Sequence, residues 1–448
     1  SAASAASDSF SKTEHLSVAL PLDSGFCDRI YPIMKTITDK KRLKKIFGRG
    51  VVVQILPSKE ALFERLIKGD RLRIYTGADP TSSALHLSHA KNYMFLEELR
   101  QLGHEVIVLF GDFTARIGDP GDRTEARKQL TEKEVKENVK NWLKQIKPLL
   151  NFSDRKNPPK VLYNGKWLSK LSLKEIISLA SNFTVQQILE RDMFQKRLKD
   201  QLPIHLHEFL YPLMQGYDSV AMDVDAELCG TDQTFNALTG RTLVKRLKNK
   251  DKFVIVVNLM ENPKTGELMS KSKGTGVFLS FPPNEMYGAV MAQPDEMTKV
   301  FFVNCTRVPL PEVKTILRKG PKEAKMLVAF EIVKKIYGES AAKKAEERWD
   351  KLFSKKDLSD NELQPLRLNK ATIIRKGDPS SQIGEIFPVK LITASGAIKS
   401  KGEARRIIIQ GGFSINGEKC SDPTKLVYVR DGDSIRIGKK KFFRIKIK

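Results

Sequence analysis

Short β-rich runs alternate with long helical stretches through much of this 448-residue chain, and that alternation limits the possible folds more than any other property. Arg71–Thr76 (RLRIYT) reads as a strand, and His86–Leu102 as a helix carrying apolar Leu87, Ala90, Tyr93, Met94 and Leu99. Glu105–Phe110 (EVIVLF) is a second strand. Thr131–Leu150 is a long helix opened by a capping box, Thr131-x-x-Glu134. Lys160–Tyr163, Ala226–Cys229 and Phe253–Asn258 are further strands, separated by helical pattern. Strands alternating with helices imply an α/β fold whose parallel sheet is covered on both faces. Such sheets take ligands beyond the carboxyl ends of their strands.

The remainder divides by charge and pattern. The chain carries 78 Lys and Arg against 53 Asp and Glu, a net +25 that suits a polyanionic partner. Residues 386–448 alone hold 15 basic and 5 acidic side chains. They read as a helix ending at Gly411-Gly412, followed by the short strands Phe413–Ile415, Leu426–Val429, Ser434–Ile437 and Phe442–Ile447. Residues 281–355 are mostly helical, for example Glu323–Tyr337 and Ser340–Phe353, and 356–385 are polar and read as a linker. The low-complexity opening, 1–33, reads as a disordered leader or extension without the pattern of a transit or signal peptide. No apolar run approaches the roughly 18 residues that span a bilayer. Four scattered cysteines show no zinc or disulfide spacing and point to a reducing compartment, the cytoplasm by default.

Three local constellations carry chemistry. In Tyr75-Thr-Gly77-Ala-Asp79-Pro-Thr81 a strand runs into a turn, and a helix begins near His86-Leu-Ser88-His89. The two histidines share the first helical turn, where free N–H groups and the dipole favour anions. No third ligand stands nearby, so no metal site is expected. Gly266-Glu-Leu268-Met269-Ser270-Lys271-Ser272-Lys273-Gly is a glycine-flanked loop whose lysines could close over phosphates. Tyr211, Gln215 and Asp218 fall at i, i+4 and i+7, placing a phenol, an amide and a carboxylate on one helix face. That stripe is a poor core and a good pocket wall.

Together these motifs resemble the class I aminoacyl-tRNA synthetases, whose signatures are His-x-Gly-His and Lys-Met-Ser-Lys-Ser. The spacing Tyr211-x3-Gln215-x2-Asp218 is similar to that of the tyrosyl-tRNA synthetases, as are Cys229-Gly230-Thr-Asp232-Gln233 and Thr114-Ala-Arg-Ile-Gly118-Asp119-Pro120 followed by Arg123 and Arg127. The segment from Lys399 to Gly417 resembles the S4-type RNA-binding module of bacterial-type members. The resemblance implies a Rossmann-type catalytic domain with an inserted dimerisation region (34–280), a helical anticodon-binding domain (281–355), and an S4-like α+β domain (386–448).

By that resemblance, the hydroxyl of substrate tyrosine meets Tyr75 and Asp218, its ammonium meets Asp119, Tyr211 and Gln215, and Gly77 lines the same pocket. His86, His89 and Thr81 serve the phosphates of ATP, with Lys271, Lys273, Arg123 and Arg127 reaching the pyrophosphate from two loops. Asp232 takes the ribose and Gln233 the tyrosine carboxyl, while Asp79, Ser88, Gly230, Met269, Ser270 and Ser272 complete the nucleotide site. Lys399, Lys401, Arg405 and Arg406 bind the tRNA. ATP arrives with Mg²⁺ as substrate, no tightly bound cofactor is expected, and the assembly is a homodimer. Three positions depart from the family pattern: Ser88 for a glycine, Leu268 for the first lysine of the loop, and Cys229 for a glycine. They keep open a catalytically impaired paralogue acting as an RNA-binding or splicing cofactor. Tryptophan as the amino acid is a further alternative, although a phenol suits Tyr75 paired with Asp218 better than an indole does.

Overall fold

The computed structural model describes residues 35–119, 130–269, 276–353, 363–368, 373, 383–398, 400–438 and 441–447. They form two compact units, one ending at Glu339 and the other spanning Ser340–Lys448.

The first unit is built on six strands, β1 (Val52–Leu56), β2 (Arg73–Ala78), β3 (Glu105–Phe110), β4 (Lys160–Tyr163), β5 (Ala226–Gly230) and β6 (Phe253–Val257). Their spatial order is β1-β6-β5-β2-β3-β4, parallel throughout except for the antiparallel edge strand β1. Every residue of β6 is buried, which explains an unbroken FVIVV where a half-exposed strand would alternate. β1, at one edge of the sheet, was not read from the sequence, and its burial does not alternate: Val53 is 54 % exposed and Gln54 beside it is exposed too.

Five of the expected strands are present. The first lies two residues later than its composition suggested, at Arg73–Ala78. Arg71 is spent on other bonds, donating to Gly103 O at 3.1 Å and Asn157 Oδ1 at 2.9 Å. Gly77 and Ala78, weak strand formers, are held in the ladder by Leu109 and Phe110. The helix expected over 131–150 runs Glu132–Ile146 and carries its capping box, with Thr131 N–H donating to Glu134 Oε2 at 2.8 Å and Glu134 N–H to Thr131 Oγ1 at 3.2 Å. The expected 206–222 helix divides into a tight turn, Leu206–Phe209, and a helix, Leu210–Ala221.

That last helix reaches the site through close packing. A Cβ on Gly216 would stand 2.9 Å from Leu243 Cδ1 and 3.2 Å from the Gly240 nitrogen. Glycine at both positions lets the helix lie directly against Thr234–Lys248. Helices Pro283–Met291, Met297–Cys305, Leu310–Arg318 and Pro321–Tyr337 belong to this first unit. Buried Arg49 ties them in, donating to the carbonyls of Phe302, Val303 and Val308 at 2.7, 2.9 and 3.0 Å.

In the second unit a five-stranded sheet, ordered β10-β9-β12-β13-β7, stands beside a β11–β8 pair. The strands are β7 (Gln364–Leu368), β8 (Ile383–Ile386), β9 (Phe413–Ile415), β10 (Glu418–Lys419), β11 (Val427–Arg430), β12 (Ser434–Ile437) and β13 (Lys441–Ile447). Two helices, Pro388–Ala394 and Lys401–Ile409, pack on a core that includes Leu391, Ala404, Ile408, Phe413, Ile435 and Ile445. The 356–385 linker reading needs correction, because β7 pairs in parallel with β13 and β8 pairs with β11. Leu366 and Leu368 alternate into the core around exposed Arg367, a period-two signal too short to stand out from its polar surroundings.

Candidate active site

Strand order reverses direction at β2, which has β3 on one side and β5 on the other. A cavity of about 410 Å³ opens beyond the carboxyl ends of these strands, where an open α/β sheet takes its ligand. Tyr75, Gly77, Asp79 and Thr81 reach it from β2 and its following turn. His86, Ser88 and His89 come from the start of the Leu87–Gln101 helix, and Tyr211, Gln215 and Asp218 from the 210–221 helix. Gly230 ends β5, Asp232 and Gln233 follow it, and Asp119 and Met269 complete the wall. Arg123, Arg127, Ser270, Lys271, Ser272, Lys273 and Lys399 lie outside the described residues.

At one end the cavity is a polar pocket sunk into the protein. Asp218 accepts from Trp167 Nε1 at 2.7 Å and from Asn164 Nδ2 at 3.3 Å. Burial pushes its carboxyl well above the usual carboxylate range, and those two donors pull the other way. The Tyr75 hydroxyl stands 3.0 Å from Ser219 Oγ, and burial with the nearby Glu227 charge keeps this phenol neutral to high pH. Tyr211 donates to Asp79 Oδ2 at 2.9 Å, and Thr114 donates to Asp79 Oδ1 at 2.6 Å. Asp79, expected on the nucleotide side, is therefore bonded to a residue of the amino-acid stripe. Gly111 makes this possible, since a Cβ there would fall 2.0 Å from Asp79 Oδ1.

Asp119 accepts from Arg191 Nη2 at 2.7 Å and from Gln233 Nε2 at 2.9 Å. Gln215 donates through Nε2 to Glu227 Oε1 at 3.0 Å, and its Oε1 accepts from Asn236 Nδ2 at 3.0 Å. Behind Glu227 lies fully buried Lys252, paired with Glu227 Oε2 and donating to Ala237 O at 3.2 Å. The amide of Gln215 is thus locked by partners at both ends. Asn164, Trp167, Arg191, Ser219, Glu227, Asn236 and Lys252 were not anticipated from the sequence. The sequence holds no signal for them beyond the position of Lys252 directly before the apolar run FVIVV.

At the other end the helix begins under two imidazoles, ring centroids 4.0 Å apart. The His86 N–H donates to His89 Nδ1 at 3.3 Å, so a neutral His89 carries its proton on Nε2. Among the described residues, buried His86 Nδ1 has no hydrogen-bond partner. The chain leaving the lysine loop is strapped across this helix start, with Leu87 N–H donating to Val277 O at 3.0 Å and Leu279 N–H to Leu85 O at 2.8 Å. A Cβ on Gly230 would fall 2.4 Å from Asp232 Oδ1, so glycine is what allows Asp232 to fold back over the strand end.

Burial lowers His86 to about 4, His89 to about 3 and His104 to about 4. Between those values and the unfolded value near 6.5, the unfolded chain binds protons that the native state refuses. Stability is therefore expected to fall as pH drops from about 6.5 towards 4. Urea midpoints across that range should show it, with a shallower slope in His89→Gln. A slope unchanged by the substitution would contradict the assignment of His89 as a neutral buried group.

On the second unit, Lys401, Arg405 and Arg406 are exposed on the 401–409 helix while Ala404 and Ile408 face the core. They form one basic solvent face.

Comparison with known proteins agrees with this architecture. A family description, "tRNA synthetases class I (W and Y)", matches residues 68–354, and "S4 domain" matches 389–431. A tyrosine–tRNA ligase of Thermotoga maritima is 40 % identical over 408 residues, covering 90 % of this chain and 96 % of that protein. That of Carboxydothermus hydrogenoformans is 38 % identical, covering 91 % and 98 %. Among solved structures, a C-terminally truncated mitochondrial tyrosyl-tRNA synthetase of Aspergillus nidulans superposes with a TM-score of 0.61, at 22 % identity, over 70 % of this chain and 95 % of that one, and shares its fold. With a sheet crevice that gathers the tyrosine-type stripe and the paired histidines, and with relatives of this identity along nearly its whole length, the chain belongs to the tyrosine–tRNA ligase family.

Proposed function

We infer that the protein activates L-tyrosine with ATP and transfers the tyrosyl group to the 3′ end of tRNA(Tyr). The observation that carries this reading is the buried acceptor Asp218, fixed by Trp167 and Asn164 and facing the same cavity as Tyr75. A phenol placed there has an acceptor and a hydroxyl to bond, whereas a benzyl group would leave both unpaired. A protein that only bound RNA would have no use for such a pocket, so the splicing-cofactor alternative is set aside.

Tyr75 and Asp218 take the substrate hydroxyl. Asp119, Tyr211 and Gln215 receive the ammonium, together with Asp79 through its bond to Tyr211. The tyrosine carboxylate, ionised at neutral pH, needs no base to attack the α-phosphorus of ATP. A carboxylate O–P bond forms as the bond to pyrophosphate breaks. Positioning and charge neutralisation supply the catalysis. Gln233 orients the carboxylate, Asp232 the ribose, and Thr81, His86 and His89 the phosphates at a helix N-terminus. The lysine and arginine loops reach the leaving pyrophosphate. A terminal ribose hydroxyl of the tRNA then attacks the tyrosyl carbonyl and releases AMP. Mg²⁺ enters as part of the nucleotide substrate.

The protein works as a homodimer in the cytoplasm. Leu173, Ile177, Val185 and Leu206, the last 81 % exposed, are exposed apolar side chains in the segment inserted between β4 and β5, and exposed apolar surface is what an interface covers. Cys229, Cys305 and Cys420 are free thiols that suit a reducing compartment.

The S4-like unit supplies tRNA affinity. Reversing Arg405 and Arg406 to glutamate should depress charging of tRNA(Tyr) and flatten the salt dependence of tRNA binding by roughly one per lost phosphate contact. Tyrosine-dependent ATP–pyrophosphate exchange should be unchanged. Loss of exchange together with charging would contradict this division of labour.

A further inference from the structure

The cavity contains a cation that the roles above leave unused. Lys91 lies in the second turn of the Leu87–Gln101 helix, three residues after Ser88, and lines the cavity with only 2 % of its surface exposed. Its ammonium donates to Asn92 Oδ1 at 3.2 Å, and among the described residues no carboxylate forms an ion pair with it. Such a placement costs stability, because burial disfavours the charge. A lysine so placed points to a negatively charged ligand that compensates the cost.

The same cavity wall carries an apolar side chain where the family pattern has a lysine. Leu268 occupies the first position of the lysine loop, lines the cavity and is 46 % exposed. The tyrosine end of the cavity is furnished with acceptors, whereas Lys91 stands one turn along the helix that begins at His86 and carries His89. Its anion therefore belongs at the histidine end. We propose that Lys91 is a nucleotide-binding residue that contacts a phosphate of ATP and supplies the charge absent at Leu268. This rests on the reading of the cavity as an ATP site.

The groups facing Lys91 make the proposal testable by pH. Burial lowers Lys91 to about 8, and the charge of Asp232 opposes that shift. Cys305 is itself raised to about 12 and Cys229 is raised well above an ordinary thiol, while His86 and His89 are neutral above pH 5. Among these neighbours, Lys91 alone changes charge between pH 7 and 9.

The full-length protein should be assayed by tyrosine-dependent ATP–pyrophosphate exchange and by calorimetric titration with ATP. Lys91→Met is expected to raise the KM and Kd for ATP by about tenfold or more, the scale of a lost charge-assisted hydrogen bond. It should leave the KM for tyrosine unchanged and should not lower the melting temperature. Lys91→Arg, charged throughout, should retain ATP affinity and flatten the weakening that the parent shows as pH rises through about 8. An unchanged ATP affinity in folded Lys91→Met would overturn the proposal and make Lys91 a packing residue. A parent that binds ATP but shows no exchange would sink the activity reading alone, and the calorimetric comparison would still decide the role of Lys91.

Discussion

Lys252→Met is expected to destabilise the protein by about 3–5 kcal/mol, the cost of leaving a buried charge without its partner. Lys252 is 0 % exposed and Glu227 2 % exposed, and their ion pair lies beneath Tyr75 and Gln215. Methionine fills a similar volume but strands the Glu227 carboxylate, which then keeps neutral partners, the Gln215 amide and the Tyr75 hydroxyl, in place of a cation. The lysine also sits in a tailored space, since a Cβ on Gly240 would stand 2.6 Å from its Nζ. Pairing Lys252→Met with Glu227→Gln removes both charges and should recover most of the loss. Urea denaturation of the two single variants and the double variant measures the coupling directly. Single-variant costs that simply add would show that the pair is not a unit.

Asp218→Asn is expected to weaken the preference for tyrosine over phenylalanine sharply. That preference should be about 10⁵-fold in the parent, a figure for which this enzyme class is itself the reference case. Asparagine conserves shape but offers one acceptor and one donor where the carboxylate offers two acceptors. Trp167 Nε1 and Asn164 Nδ2 both donate to this position, so the new amide must turn its NH₂ towards a donor or towards the substrate hydroxyl. The ratio of kcat/KM values for the two amino acids should fall by about 10²-fold or more, mostly through tyrosine. Burial already disfavours the Asp218 charge, so the variant should remain folded. An undiminished ratio would remove Asp218 from hydroxyl recognition.

What could be read from the sequence was what local spacing determines. Tyr211, Gln215 and Asp218 share a helix face because of the 3.6-residue period, and the capping box at Thr131 announces itself within four residues. The parallel strands were legible because burial on both faces leaves unbroken apolar runs such as FVIVV. The residues that fix the site were not legible. Trp167 and Asn164 are 51 and 54 positions from Asp218, and Arg191 is 72 positions from Asp119. Each is a single polar side chain whose meaning depends on a partner brought near only by the fold. Strand β7 was hidden for a related reason, because its pairing with β13 joins residues 79 positions apart, as in Leu366 with Ile445.

The measurement that tests the central claim most directly is ATP–pyrophosphate exchange by the full-length protein with tyrosine, phenylalanine or tryptophan as the amino acid. Exchange that requires tyrosine, with at most traces from the other two, is the predicted result. Exchange with none of the three, or equally with phenylalanine, would contradict the assignment of this pocket to tyrosine activation.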